Sequence, residues 1–420
     1  MDKLVIEGKN RLEGEIYLHG AKNAVLPILA ATVLNGAKNI IHNCPDLKDV
    51  RASINILRHL GCDVEMEDST LVVDSSALKS YEISEKLMHE MRSSVIFLGA
   101  VLARFGKVVA AMPGGCELGP RPIDLHLSAF KQLGVDIKEE HGYINCSCQK
   151  IVPATIHLDF PSVGATENIM LLAALAQGTT VITNAAKEPE IEDLQKYLNA
   201  MGARISGAGT SVIQIEGVKK LYDVEHSVIP DRIAAATFLS CSAAAGGTIE
   251  LKNVVPEHLE AYLSTAEQYG AKIYATKQRI VHVAPKRLNA VKIVRTQPYP
   301  GFPTDAQSPL MAALTIADAT SIFVENIFES RFKHVFELCR MGADITVDGR
   351  MAVVRGVEEL SGANVCAMDL RGGAALVVAA LAANGRTTIS DIYHIDRGYE
   401  NIEKTLQSVG AKITRQKYDS

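Results

Sequence analysis

One phrase recurs six times along this chain and limits what the chain can fold into. Apolar residues, a glycine and then an alternating strand appear as LGCDVE (60–65), LGVDIK (133–138), MGARIS (201–206), YGAKIY (269–274), MGADIT (341–346) and VGAKIT (409–414). The glycines fall at 61, 134, 202, 270, 342 and 410, at intervals of 68–73 residues. Each follows an amphipathic helical pattern, such as DLQKYLNAM (193–201) or NIEKTLQSV (401–409). A glycine there ends the helix and turns the chain into a strand. Self-similarity at a fixed period marks a repeat architecture.

A second element recurs in step with the first. Apolar helices are expected at 22–36, 92–106, 162–178, 231–247, 305–320 and 371–385. They are apolar on nearly every side, so they belong inside the protein. Each leads into a strand, for example NIIHN (39–43), TTVITN (179–184) or SIFVEN (321–326). One unit therefore reads buried helix, strand, amphipathic helix, strand, turn, strand. Helices inside and alternating strands outside give an α/β class in the form of two inside-out α/β barrels, each of three units. The sixth unit stops short, with only RQKYDS after GAKIT, and the missing pattern appears at the other chain end as DKLVIEGKNRLEGEIYLHGAKN (2–23). The expected domains are thus 22–229 and, together, 1–21 and 230–420. That division suits a chain of 420 residues, too long for a single core.

The polar residues fall in register with these helices. The buried helices start with Lys22-Asn23, Arg92, Ser162, Asp231-Arg232, Asp305 and Arg371. Helix N-termini present free N–H groups and a partial positive charge, so three such ends from each domain facing one another would suit a highly anionic ligand. Plain N-capping accounts for Ser162, Asp231 and Asp305. It does not account for Lys22, Arg92 or Arg371, because a cation there opposes the dipole; local choices that break a rule tend to mark sites. Arg331 and Arg397 open amphipathic helices in the same sense, although either alone reads as a surface charge. Asp305, behind two prolines and a glycine in PGFPTDAQ, suits a general base as well as a cap. Asp369 reads equally as a salt-bridged structural acid, and Glu188 and Glu190 as a solvated or capping cluster.

Residues 113–126, PGGCELGPRPIDLH, form a loop between the strand at 107–112 and a helix starting near Ile123. Its glycines free the backbone and its prolines fix φ without donating to a ladder. Cys116, with Arg121 five residues on, is placed to be a stabilised, reactive thiolate; the competing reading is an incidental cysteine in a turn. The other seven of the eight cysteines have no CxxC pairing and read as reduced core thiols. His42, His126 and His394 lack ligand-like spacing, so no metal site is expected. A net charge of −5, no Trp and few aromatics argue against nucleic acid and against an anionic membrane surface, so any anionic ligand needs a local cluster. With no apolar signal core in MDKLVIEGKN and no run approaching a membrane span, a cytoplasmic enzyme is expected.

With these residues in view, the whole chain resembles the bacterial enolpyruvyl transferases. The likeness lies in GAKNAVLPILAA (20–31), the Cys116 loop, PSVGATENIM (161–170), PGFPTDAQ (300–307), DLRGGAALV (369–377) and DRGYENI (396–402). That resemblance implies two inside-out barrels of three units each. It also implies addition of the 3-hydroxyl of UDP-N-acetylglucosamine to the central carbon of phosphoenolpyruvate, followed by loss of phosphate, without a cofactor. By the same resemblance Lys22, Arg121 and Arg397 hold the phosphate, with Arg92, Arg331 and Arg371 lining the anion site. Asp305 accepts the hydroxyl proton, and Cys116 is a loop acid that can also add to phosphoenolpyruvate. Asp369 belongs to the same catalytic group, and Asn23 orients the sugar while also lying at the phosphoenolpyruvate site. Arg121, Pro122, Ile123, Asp124 and Leu125, Ser162, Val163 and Gly164, and Ile327 cradle the nucleotide. Two anionic substrates must be neutralised before they meet, which explains the excess of cations.

Two rivals bound this reading. A shikimate-phosphate enolpyruvyl transferase would share the fold and the cofactor-free chemistry, but the Cys loop and GAKNA speak against it. A repeat-built binding protein without chemistry would have no need of charged helix starts in register.

Overall fold

The computed structural model describes residues 2–112 and 123–417. Its strands assemble into six four-stranded sheets on a single plan. In the third copy, Thr155–His157 runs parallel to Thr179–Thr183, which pairs antiparallel with Val212–Glu216, itself antiparallel to Arg204–Ser206. Parallel neighbours need a crossover, and the buried helix Val163–Ala173 supplies it. The sequence pattern contains three of these strands. The fourth, ahead of each buried helix, is as short as Glu82–Ile83 or Ile293–Arg295, too brief to show an alternation of its own.

The inner helices are apolar all round and carry many small residues. Leu370–Ala382 is buried from Arg371 to Ala382, and it packs on Arg232–Ala245 and Thr304–Leu314, which also pack on each other. The outer helices bury one stripe: Pro189–Ala200 turns Ile191, Leu194, Tyr197 and Leu198 inward. All six repeat glycines have φ between 83° and 108°, the left-handed region that only glycine enters freely at a helix end. A different demand falls on Gly217 and Gly356, where a Cβ would overlap the carbonyls of Ala176 and Ala317. There the returning strand passes against the end of an inner helix.

The contacts divide the chain into a unit of residues 20–229 and a unit of residues 2–19 with 230–417, each with its own hydrophobic core. Asp2–Glu7 lies between Arg386–Ser390 and Lys412–Lys417, antiparallel to both. The edge strands are exchanged where the chain passes between units. Val224–Ser227 precedes the helix Arg232–Ala245 but pairs with Lys38–His42, whereas Leu12–Tyr17 precedes the helix Lys22–Ala31 but pairs with Gly247–Lys252. Among the described residues no helix is long and apolar enough to cross a membrane.

Candidate active site

Inner helices that start with charge need partners for it, and in the 230–417 unit the partners converge on Asp305. This residue is second in the helix Thr304–Leu314, just after Pro303. It does not cap the helix, as capping logic allows. Its Oδ1 accepts from Arg331 Nη2 at 2.9 Å and its Oδ2 from Arg371 Nη2 at 3.1 Å. Both guanidinium side chains are only 2% exposed, while the carboxylate is 26% exposed. Arg331 is therefore a buried charge, not a surface one, and it lies in the turn ahead of the helix Val335–Arg340 instead of opening it. One carboxylate thus bridges two buried cations. Among the described residues, the Nε atoms of both arginines have no hydrogen-bond partner.

The surroundings fix each member of this group. Arg371 Nη1 donates to Tyr399 Oη at 3.0 Å, and that hydroxyl lies 2.7 Å from Thr237 Oγ1. Burial works against the Arg371 charge, but Tyr399, Asp305 and Asp231 outweigh it and hold the guanidinium above its ordinary value. Asp369 caps the helix Leu370–Ala382: its Oδ1 accepts from the N–H groups of Arg371 and Gly372 at 3.0 and 2.9 Å. It is a cap and not the salt-bridged acid the sequence allows, and its buried Oδ2 has no hydrogen-bond partner among the described residues. His334 donates from Nδ1 to the Arg331 carbonyl at 3.2 Å, and burial pushes its imidazole down to about 4, with Asp369 acting in the opposite direction. Arg397 closes the short 3-10 turn Ile395–Arg397 and does not open the following helix, Ile402–Ser408. Ile327 is half-buried, and its N–H donates to Glu325 Oε1 at 2.8 Å.

The 20–229 unit carries its own set. Lys22 begins the helix Lys22–Ala31, and its Nζ donates to Asp49 Oδ2 at 3.0 Å in a buried pair. Asn23 beside it is half-buried. Ser162 caps Val163–Ala173 through the Ala165 N–H. The structure brings this helix start to the helix Asp124–Gln132, because a Cβ on Gly164 would lie 3.1 Å from the His126 ring. His126 Nδ1 accepts from Asn168 Nδ2 at 2.8 Å, which puts the ring proton on Nε2. Ile123 and Leu125 are half-buried and Asp124 is exposed. Glu190 is buried, not solvated, and Glu167 lies close enough to feel both Glu190 and Glu188. Burial first, then Glu190 and Glu188, raise the Glu167 carboxyl well above its ordinary value. Cys116, Arg121 and Pro122 lie outside the described residues, as does the side chain of Arg92. Of the other cysteines, Cys44, Cys62, Cys146 and Cys241 are buried, Cys148 and Cys366 are half-buried, and Cys339 is exposed and so is not core. Among the described residues no group of three or more His, Cys, Asp or Glu is arranged to hold a metal ion.

Residues 6–406 match the family model described as EPSP synthase (3-phosphoshikimate 1-carboxyvinyltransferase). The chain is 54% identical over 415 residues to UDP-N-acetylglucosamine 1-carboxyvinyltransferase 2 of Caldanaerobacter subterraneus subsp. tengcongensis, covering 99% of this chain and 100% of that protein. It is 51% identical over 420 residues to UDP-N-acetylglucosamine 1-carboxyvinyltransferase 1 of Symbiobacterium thermophilum, covering 99% and 95%. Among solved structures, the enolpyruvyl transferase NikO from Streptomyces tendae superposes with a TM-score of 0.89 at 25% identity, over 99% of this chain and 98% of that one. EPSP synthase from Acinetobacter baumannii superposes with a TM-score of 0.74 at 18% identity, over 99% and 100%, a likeness of fold alone.

Proposed function

The chain belongs to the EPSP synthase family of enolpyruvyl transferases, and on that premise we propose that it transfers the enolpyruvyl group of phosphoenolpyruvate to the 3-hydroxyl of UDP-N-acetylglucosamine. This is the first committed step of peptidoglycan synthesis. The observation that carries the reading is identity of 54% and 51%, over essentially the whole chain, with relatives named for that activity. The shikimate-phosphate reading draws on the family model and on a fold likeness at 18% identity, which carries no substrate. A binding protein without chemistry has no counterpart among these relatives.

In the addition step Asp305 accepts the proton of the 3-hydroxyl as the new O–C bond forms at the central carbon of phosphoenolpyruvate, and Cys116 gives a proton to the methylene carbon. In the elimination step that carbon loses a proton, the C–O bond to phosphate breaks and phosphate leaves. The Asp305 carboxylate, partly open between two buried guanidiniums, supports the base role: it is fixed in place yet reachable. Arg331 and Arg371 stabilise charge that develops beside it, as preorganised donors do in a site shielded from water. Lys22, Arg121 and Arg397 hold the phosphate, and Arg92 completes the anion site. Asp369 fixes the start of the Arg371 helix. Asn23 orients the sugar, while Arg121 to Leu125, Ser162 to Gly164 and Ile327 cradle the nucleotide. No cofactor enters this scheme, and a cytoplasmic location suits an enzyme acting on these two substrates.

Phosphate release with phosphoenolpyruvate and UDP-N-acetylglucosamine, compared with release using shikimate 3-phosphate, tests the reading. Turnover with the nucleotide sugar alone is expected; turnover with shikimate 3-phosphate alone, or with neither, would overturn it.

A further inference from the structure

The six copies provide an internal reference, and Glu325 departs from it. In four copies the strand after the inner helix ends on an Asn or Asp in the left-handed region: Asn43, Asn184, Asn253 and Asp391, with φ between 53° and 55°. Three of these amides close the end of the neighbouring strand, donating to the carbonyls of Val228, Leu158 and Leu18 at 2.7–2.9 Å. In the fifth copy the strand Thr320–Val324 is followed by Glu325, and the closing amide comes one residue later, from Asn326 to the Thr296 carbonyl at 3.1 Å. The ladder is finished without residue 325, which instead carries a fully buried carboxylate.

That carboxylate is held by neutral donors. Its Oε1 accepts from the N–H groups of Ile327 and Phe328 at 2.8 and 3.0 Å, and its Oε2 accepts from the Thr304 hydroxyl at 3.0 Å. Thr304 begins the helix that carries Asp305. Its carbonyl accepts from Arg331 Nη2 at 3.0 Å, the same nitrogen that reaches Asp305. Glu325 thus holds the start of the 327–331 segment with one oxygen and the start of the Asp305 helix with the other. Arg331, at the end of that segment, then closes the circuit. A carboxylate buried without a cation is costly, and the repeat shows that packing does not require one here.

We propose that Glu325 is a positioning residue for the transfer reaction: through Thr304 and the 327–331 turn it sets the distance between Asp305 and Arg331. The proposal rests on the reading of Asp305 as the base. Misplacement of a reacting group by about 1 Å can cost about 10²-fold in rate, so the effect should fall on kcat and not on binding.

The test uses Thr304→Val, which removes the hydroxyl at nearly constant volume, Thr304→Ser, which keeps it, and Glu325→Asn, which introduces the residue type that three other copies carry. Steady-state phosphate release with phosphoenolpyruvate and UDP-N-acetylglucosamine gives kcat and KM, calorimetric titration gives affinity for the nucleotide sugar, and thermal melting reports the fold. Thr304→Val and Glu325→Asn are expected to lower kcat by about 10-fold or more with affinity within about 3-fold of wild type, and Thr304→Ser to restore kcat to within about 3-fold. A Thr304→Val protein with wild-type kcat, or a Thr304→Ser protein as impaired as Thr304→Val, would overturn the clamp. Should Glu325→Asn fail to fold, the two Thr304 variants still decide. Asp305→Asn runs alongside: if it keeps wild-type kcat the base reading falls, whereas if it loses kcat while Thr304→Val does not, only the clamp falls.

Discussion

Lowering the pH from 7.5 to 5 should weaken the 230–417 unit through two buried histidines. His282, wholly buried, lies between Ser242 Oγ and Tyr269 Oη, each at 3.0 Å, and burial pushes it down to about 4. His334 faces Asp369 and Arg331 and is likewise pushed down to about 4 by burial. Unfolded, each takes up its proton near 6.5; folded, each resists until about 4. Between those values the unfolded state binds more protons, so stability is full above 6.5 and is lost as pH falls towards 4. At 1.36 kcal/mol per pH unit, each histidine removes about 2 kcal/mol by pH 5, and the pair about 4 kcal/mol. For a unit of this size that lowers the melting temperature by about 8–16 °C. Glu167 in the other unit has the opposite sign: its raised carboxyl contributes stability at low pH that is lost as pH rises. Urea unfolding of the wild type, His282→Gln, His334→Gln and the double variant at the two pH values isolates the effect. The readout is the difference between pH values, so any cost of the substitutions at neutral pH cancels. A double variant that loses as much stability on acidification as the wild type would refute the assignment.

Asp305→Asn should keep both substrates bound and lower kcat by about 10²-fold or more, the usual scale for loss of a general base; collapse of affinity with near-normal turnover would make Asp305 a binding residue instead. Gly217→Ala forces a Cβ onto the Ala176 carbonyl and should destabilise the protein by about 2–3 kcal/mol or more in denaturant unfolding, and a variant as stable as wild type would show that the strand can shift at no cost. Deleting residues 1–21 removes Asp2–Glu7 from between two strands and should abolish cooperative unfolding of the 230–417 unit while a transition of 22–229 persists; two intact calorimetric transitions would refute this.

Features fixed by short-range rules were legible in the sequence. The six glycines sit where a helix must end in a left-handed turn, and a residue type announces that without knowledge of the partner element. The inner helices showed themselves by being apolar on all sides, and the repeat period set their number. What remained hidden depends on residues far apart in the chain. Lys22, and Arg371 just behind its cap, are legible as cations opposing a helix dipole, but not what answers them: Asp49 lies 27 residues from Lys22, and Asp305 lies 66 from Arg371. Asp305 reads as a base or a cap and Asp369 as a salt-bridged acid, because a carboxylate near a helix start looks the same whether it caps or bridges. Only the fold decides, and it assigns them opposite roles. His126 lacked metal-ligand spacing and drew no role, yet its ring packs against the Gly164 turn.

The repeat explains why the polar group gathers where it does. In every copy an inner helix starts at the end of a short edge strand, so helix starts recur in each unit. Three of the six starts carry a side-chain cap, supplied by Ser162, Asp231 and Asp369. The fifth copy does not. Its helix starts after Pro303 with no side-chain cap, which leaves the Asp305 carboxylate for two arginines and the Thr304 hydroxyl for Glu325. In the sixth copy Asp369 does cap, and this fixes the backbone on which Arg371 stands. One start gives up its cap to present a carboxylate, and its neighbour keeps its cap to present a cation. Departures from the repeat therefore locate the chemistry more sharply than the motifs do, because the other copies show what the fold alone requires.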